Sequence, residues 1–130
     1  WIRLLLEGKP IKVFGDGKQL RDFNFVDDCV EALLLAGASD QANGKVYNLG
    51  GSEVIGLKDL SKIMVNLGHG GSFELAPFPS ERKAIDIGDY YSDFSLITKE
   101  LGWIPKIDLK DGLKRTLNYY REHFSHYWDE

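Results

Sequence analysis

Arg21 closes the stretch Gly15-Asp16-Gly17-Lys18-Gln19-Leu20-Arg21, in a segment that also carries Phe23 and Phe25. A guanidinium is the side chain suited to fixed, two-pronged capture of phosphate or carboxylate. Two glycines with one residue between them, placed after an apolar run, suit a tight reversal because positive φ costs glycine little. With Phe14 on one limb and Arg21 on the other, such a reversal could grip a molecule that is aromatic at one end and anionic at the other. The same spacing describes a β-hairpin whose arginine makes an ordinary surface ion pair. Asn48 is the second candidate, a lone amide where the apolar run 45–49 meets Gly50-Gly51. Strand-to-helix junctions of that kind hold ligands in open α/β sheets; an asparagine that merely forms the turn before the glycines is the other reading.

Other chemistry is missing from the pattern. No GxGxxG or P-loop offers a phosphate cradle, and no CxxC or HExxH offers a metal site. His69 lies among glycines and reads as a loop histidine, while His123 and His126 fall in the tail. No tyrosine has a lysine four residues later, so the acid/base pair of many oxidoreductases is absent.

The elements that would position these residues follow from periodicity and punctuation. Residues 1–7 read as the last turns of a helix stopped by Gly8. Ile11–Phe14 reads as a strand, and residues 21–26 as a second one joined to it through the glycine turn. Asp27 or Asp28 then caps a helix in which Val30, Leu33, Leu34 and Gly37 share a stripe. Residues 45–49 read as a strand covered on both faces. Leu57, Leu60, Ile63, Met64 and Leu67 define an amphipathic helix closed by Gly68, with Met64 as core filler. Residues 72–78 form a strand ended by prolines, and residues 82–91 a working loop. Asp93 caps a helix that stops at Gly102. Asp108, with Asp111 three residues on, opens a last helix whose stripe is Leu109, Leu113, Leu117, Tyr120 and Phe124. The aromatic tail 119–128 reads as packing plus a frayed end. The fold class is α/β, with few short strands and about five helices. Three or four such strands make too small a sheet, which implies further strands elsewhere.

A chain of 130 residues is one domain, able to bury roughly two thirds of its unfolded surface. Sixteen basic against twenty acidic side chains give a net charge of −4, which argues against a nucleic-acid footprint. No apolar run approaches the roughly 18 residues that would span a membrane. Cys29 is the one cysteine; it forms no internal disulfide, and a reducing, cytoplasmic compartment is the default. The chain opens on Trp1 rather than Met, which reads as a piece of a longer protein.

Three ordered blocks carry a resemblance. They are residues 8–28, containing Gly-Asp-Gly-Lys-Gln-Leu-Arg-Asp-Phe; Val-Tyr-Asn-Leu-Gly-Gly at 46–51; and Leu-Gly-Trp-Ile-Pro at 101–105. Together they resemble the C-terminal part of the NAD-dependent epimerase/dehydratase family, the extended short-chain dehydrogenases that act on nucleotide sugars. The resemblance implies that residues 1–130 are the substrate-binding portion, incomplete without an N-terminal Rossmann domain. That missing domain would bind NAD and carry the Tyr-x-x-x-Lys pair, so that no catalytic or cofactor-binding residue lies in this chain and the chain alone is inactive. By the same resemblance Phe14 lies against the nucleotide base, while Arg21 and Asn48 reach the diphosphate. Many members carry an Arg-x-Gly-Asp/His loop. Here Gly88-Asp89 matches, but Asp86 stands where the arginine would be. Arg82, four residues earlier, becomes the second phosphate ligand and Asp89 the ribose ligand.

The implied ligand is a UDP-, dTDP-, GDP- or CDP-linked sugar, oxidised transiently at C4 in the whole protein before epimerisation, dehydration or decarboxylation. The whole protein is expected to be a homodimer, and the fragment, with strand edges unpaired, to self-associate. A non-catalytic binding or regulatory protein on the same scaffold is the alternative. A ligand-free α/β module whose Arg21 pairs with a carboxylate such as Asp22 or Asp27 is a third reading.

Overall fold

The apolar start of the chain forms α1 (Ile2–Leu6), followed by Gly8 at φ 69°. In this computed structural model, which describes residues 1–68 and 70–128, the chain continues through β1 (Ile11–Phe14), β2 (Leu20–Asp22), α2 (Val26–Gly37), a 3-10 turn at Asp40–Ala42, β3 (Val54–Gly56) and α3 (Leu57–Leu67). Then come β4 (Phe73–Ala76), α4 (Ser80–Lys83), α5 (Ser95–Leu101), α6 (Leu109–Glu122) and α7 (Phe124–Trp128). His69 lies outside the described residues. The architecture is mixed α/β, and the two short helices α4 and α7 bring the described helices to seven.

β1 and β2 do not form the expected hairpin. β1 runs parallel to β4, with Phe14 opposite Ala76, and β2 runs antiparallel to β3, with Arg21 opposite Ile55. The turn between them is committed to a third element. α3 starts at Gly56 without a side-chain cap, and its first amides need acceptors. The Gln19 carbonyl accepts from Leu57 N at 3.2 Å and the Gly17 carbonyl from Lys58 N at 2.9 Å. Gly17, at φ 68°, sits so close to Lys58 and Val13 that a Cβ would lie 2.8 Å from each. Capping α3 thus commits the turn to α3 and lays β2 beside β3, the strand that leads into α3.

Ile11 and Val13 on β1 are fully buried and pack with Leu5, Leu60, Met64, Leu109 and Leu117. That is the main core, with Met64 as filler and α6 contributing Leu109 and Leu117. α6 starts where predicted: the Asp108 carboxylate accepts from Asp111 N at 2.8 Å. It ends at Glu122, so Phe124 belongs to α7 rather than to the same helix. α7 folds the tail back, and Trp128 stacks on Tyr120 at 5.1 Å.

A second core surrounds Trp103, with Ala32 and Ile97 buried beside it and Leu35, Tyr47, Leu49 and Phe94 packed around. α5 leads into it and is stopped by left-handed Gly102; its N-cap position is Phe94 rather than the expected Asp93, whose Oδ1 accepts from Ser95 N from one residue further out. Two expectations fail here. The α2 stripe of Val30, Leu33 and Leu34 faces solvent, with Leu33 70% exposed, and the helix turns Asp28 and Ala32 inward. Residues 45–49 form no strand. Tyr47 and Leu49 pack on the Trp103 core while Val46 is 84% exposed, and the segment has no neighbouring strand among the described residues.

Candidate functional site

β2 holds Arg21 through its own backbone pairing, and the side chain is then fixed by carbonyls. Nη1 donates to the Leu20 carbonyl at 2.7 Å and to the Gly88 carbonyl at 2.5 Å. Carbonyl oxygens orient a guanidinium without neutralising it. Among the described residues neither Nε nor Nη2 has a hydrogen-bond acceptor, and Nη2 faces Asp86 Oδ1 at 4.0 Å. The arginine is therefore approached by an acid but not bonded to it. The acid is Asp86 rather than Asp22 or Asp27. Asp22 is engaged by Gly51 N and Ser92 N, and Asp27 lies 4.0 Å from Arg115.

Residues 79–90 cross this edge as a strap. Asp89 Oδ1 accepts from Leu20 N at 2.8 Å, and Tyr90 N donates to the Leu20 carbonyl at 3.0 Å. Arg21 and Tyr90 form an isolated parallel bridge. Asp89 thus reaches the site through β2 backbone, leaving its Oδ2 without a partner among the described residues. At the other end of the strap, α4 places the Arg82 guanidinium 5.4 Å from the centre of the Phe14 ring, a cation–π contact. Phe78 packs on the same ring at 5.7 Å. The structure brings Phe14 together with Arg82 and Arg21 together with Asp89, both through the strap. Asn48 is exposed and bonds to none of the four.

The supports of the site are carboxylates whose partners lie far along the chain. Asp22 Oδ2 accepts from Gly51 N at 3.2 Å and Ser92 N at 3.1 Å, tying both the Asn48 segment and the end of the strap to β2. Gly51 has to be glycine, since a Cβ would lie 2.5 Å from the Phe23 carbonyl. Asp28 does not cap α2, whose N-cap position is Phe25. Its buried carboxylate accepts from Lys106 N at 3.1 Å and Ile107 N at 3.0 Å, and its carbonyl accepts from Trp103 Nε1 at 2.9 Å. Nothing in local spacing signals these roles. Tyr47 donates to Glu100 Oε2 at 2.6 Å, and Lys45 Nζ donates to Oε1 at 2.8 Å. The bond to Glu100 pushes the Tyr47 hydroxyl up to about 12, while Lys45 and Tyr47 hold Glu100 below its usual range.

A cavity of about 640 Å³ lies between the start of α2 and α6, walled by Phe25, Arg115, Tyr119 and Tyr120 rather than by Phe14, Arg21, Arg82 or Asp89. The space beside Gly17 holds Lys58 and Val13, and that beside Gly50 holds Asp22 and Phe94. Among the described residues no cluster of His, Cys, Asp and Glu could hold a metal ion. No described helix is long and apolar enough to cross a membrane.

Residues 1–50 match the NAD dependent epimerase/dehydratase family. A dTDP-glucose 4,6-dehydratase of Streptomyces griseus is 33% identical over 129 residues, covering 99% of this chain and 38% of that protein. A UDP-glucuronate 4-epimerase of Thermodesulfobacterium geofontis is 37% identical over 125 residues, covering 94% of this chain and 36% of that protein. Among solved structures, the UDP-glucose 4-epimerase of Thermotoga maritima, determined with UDP-glucose, superposes with a TM-score of 0.79 at 28% identity over 95% of this chain and 38% of that one. The chain spans a little over a third of the length of these relatives.

Proposed function

From the premise that this chain belongs to the NAD-dependent epimerase/dehydratase family, we propose that it forms the substrate-binding wall of a nucleotide-sugar epimerase or dehydratase, gripping the nucleoside diphosphate. Phe14 takes the base, Arg21 and Arg82 the two phosphates, Asp89 the ribose through its free oxygen, and Asn48 approaches the diphosphate from the second core. The observation that carries this reading is the state of Arg21. Two carbonyls orient its Nη1, and the remaining edge, Nε and Nη2, has donors to spare. A fixed fork of that kind suits a phosphate.

NAD belongs to the part of the whole protein that this chain does not span; when bound there it supplies hydride transfer at the sugar. In this reading the chain itself does not hold NAD, and alone it is expected to be inactive. Its own residues bind and orient. Contacts to the remote nucleotide hold the sugar in place, so that binding energy spent far from the reacting carbon lowers the barrier there. The acidic chain would repel a diphosphate were the arginines not placed at the edge. We place the protein in the cytoplasm, consistent with an unpaired Cys29.

The test is a calorimetric titration of the chain with UDP and with dTDP at low salt. Arg21→Ala removes a charge-assisted contact of about 1.5–3 kcal/mol, and affinity is expected to fall about tenfold or more. Added salt should weaken the native chain's binding. Equal titrations for both variants refute the reading.

A further inference from the structure

Resting on the nucleoside-diphosphate reading, we propose that the strap is an internal competitor of the ligand, with Asp86 standing in for a phosphate at Arg21 and Arg82 covering the face of Phe14. The two ends of the strap carry complementary chemistry to the two ends of the site. Its cation lies on the site's ring at 5.4 Å. Its anion lies 4.0 Å from the site's cation, with both side chains about three quarters buried. The contacts that anchor the strap do not involve Asp86. Gly88 and Tyr90 bond to β2 and Arg21 through backbone, and Asp89 bonds to Leu20 N. The Asp86 carboxylate has no hydrogen bond among the described residues. It sits in the field of Arg21 without being fixed there, so a phosphate with better geometry displaces it while the anchors stay closed.

Displacement separates two opposite charges, and that cost subtracts from ligand affinity. Removing the charge at position 86 therefore strengthens binding, the reverse of what a loop residue that builds the site would do. Asp86→Asn keeps the shape and loses the charge; Asp86→Glu keeps the charge. The experiment titrates the native chain, Asp86→Asn, Asp86→Glu and Arg21→Ala with UDP in low-salt buffer, then in buffer with about 0.5 M salt. The expected result is a gain of about threefold for Asp86→Asn at low salt, shrinking at high salt, with Asp86→Glu close to native. Unchanged or weaker binding by Asp86→Asn, with Arg21→Ala still weakening binding about tenfold or more, overturns the competitor and leaves the diphosphate site standing. No loss on Arg21→Ala overturns both. Equal gains for Asn and Glu also overturn the competitor, because the effect would then come from loop shape and not charge.

Discussion

Asp28 offers the sharpest check on how the fold around the site is held. Its carboxylate, 2% exposed, accepts from the amides of Lys106 and Ile107 at 3.1 and 3.0 Å, and thereby clamps the connection from Trp103 to α6 against α2. A hydrogen bond from a neutral donor to a charged group contributes about 1.5 kcal/mol at the lower end of its range. Asp28→Ala removes two, a loss of about 3 kcal/mol, and leaves both amides without their acceptor. Asp28→Asn keeps one acceptor oxygen and recovers about half. With a urea slope of about 1.5 kcal/mol per molar for a small domain, the unfolding midpoint should fall by about 2 M for alanine and about 1 M for asparagine, followed by tryptophan fluorescence. A drop for alanine of less than about 0.5 M would show that Asp28 is a spectator at the helix start. Equal drops for the two variants would mean that shape and a single remaining acceptor oxygen recover nothing, and that the intact charged carboxylate is what holds the connection there.

The Lys45–Glu100–Tyr47 group predicts two limbs in a plot of melting temperature against pH. Glu100 titrates in the folded chain below its ordinary value of 4.5, so its contribution is complete above that value and is lost as pH falls through the lowered one. Tyr47 titrates above its ordinary 10.0, at about 12, so its contribution is complete below 10 and fades between the two; Glu100→Gln should flatten both limbs, and an unchanged profile would refute the coupling. The solvent-facing stripe of α2, with Leu33 and Leu34 about 70% exposed, and the unpaired segment 45–49 predict that the chain alone self-associates. Light scattering behind size exclusion should show mass rising with concentration, and Leu33→Glu with Leu34→Lys should abolish the rise; a constant monomer mass in the native chain would contradict it.

What the sequence made legible was whatever is decided locally. The Asp108 cap, the Gly102 stop and the α3 stripe each depend on residues a few positions apart; the loop read over 82–91 begins only after α4, which takes in Arg82 and Lys83. Pairing partners were not legible. The glycine turn looks like a hairpin because nothing within it reveals that its carbonyls serve Leu57 and Lys58. Asp28 resembles a cap because its partners lie 78 and 79 residues away. The α2 stripe has helical period, yet period does not say what covers it. At the site, the resemblance singled out Phe14, Arg21, Asn48, Arg82 and Asp89, while the approach of Asp86 to Arg21, the tie of Asp89 to Leu20 and the stacking of Arg82 on Phe14 are tertiary facts.

Phe14 and Arg21 stand on different sheets, and a five-residue bend braced on Lys58 sets the gap between them. In the proposed grip the two jaws would work as a caliper whose opening is written in the length of that bend. On that proposal, one residue inserted between Gly17 and Leu20 would change the span and misfit the ligand it was set for.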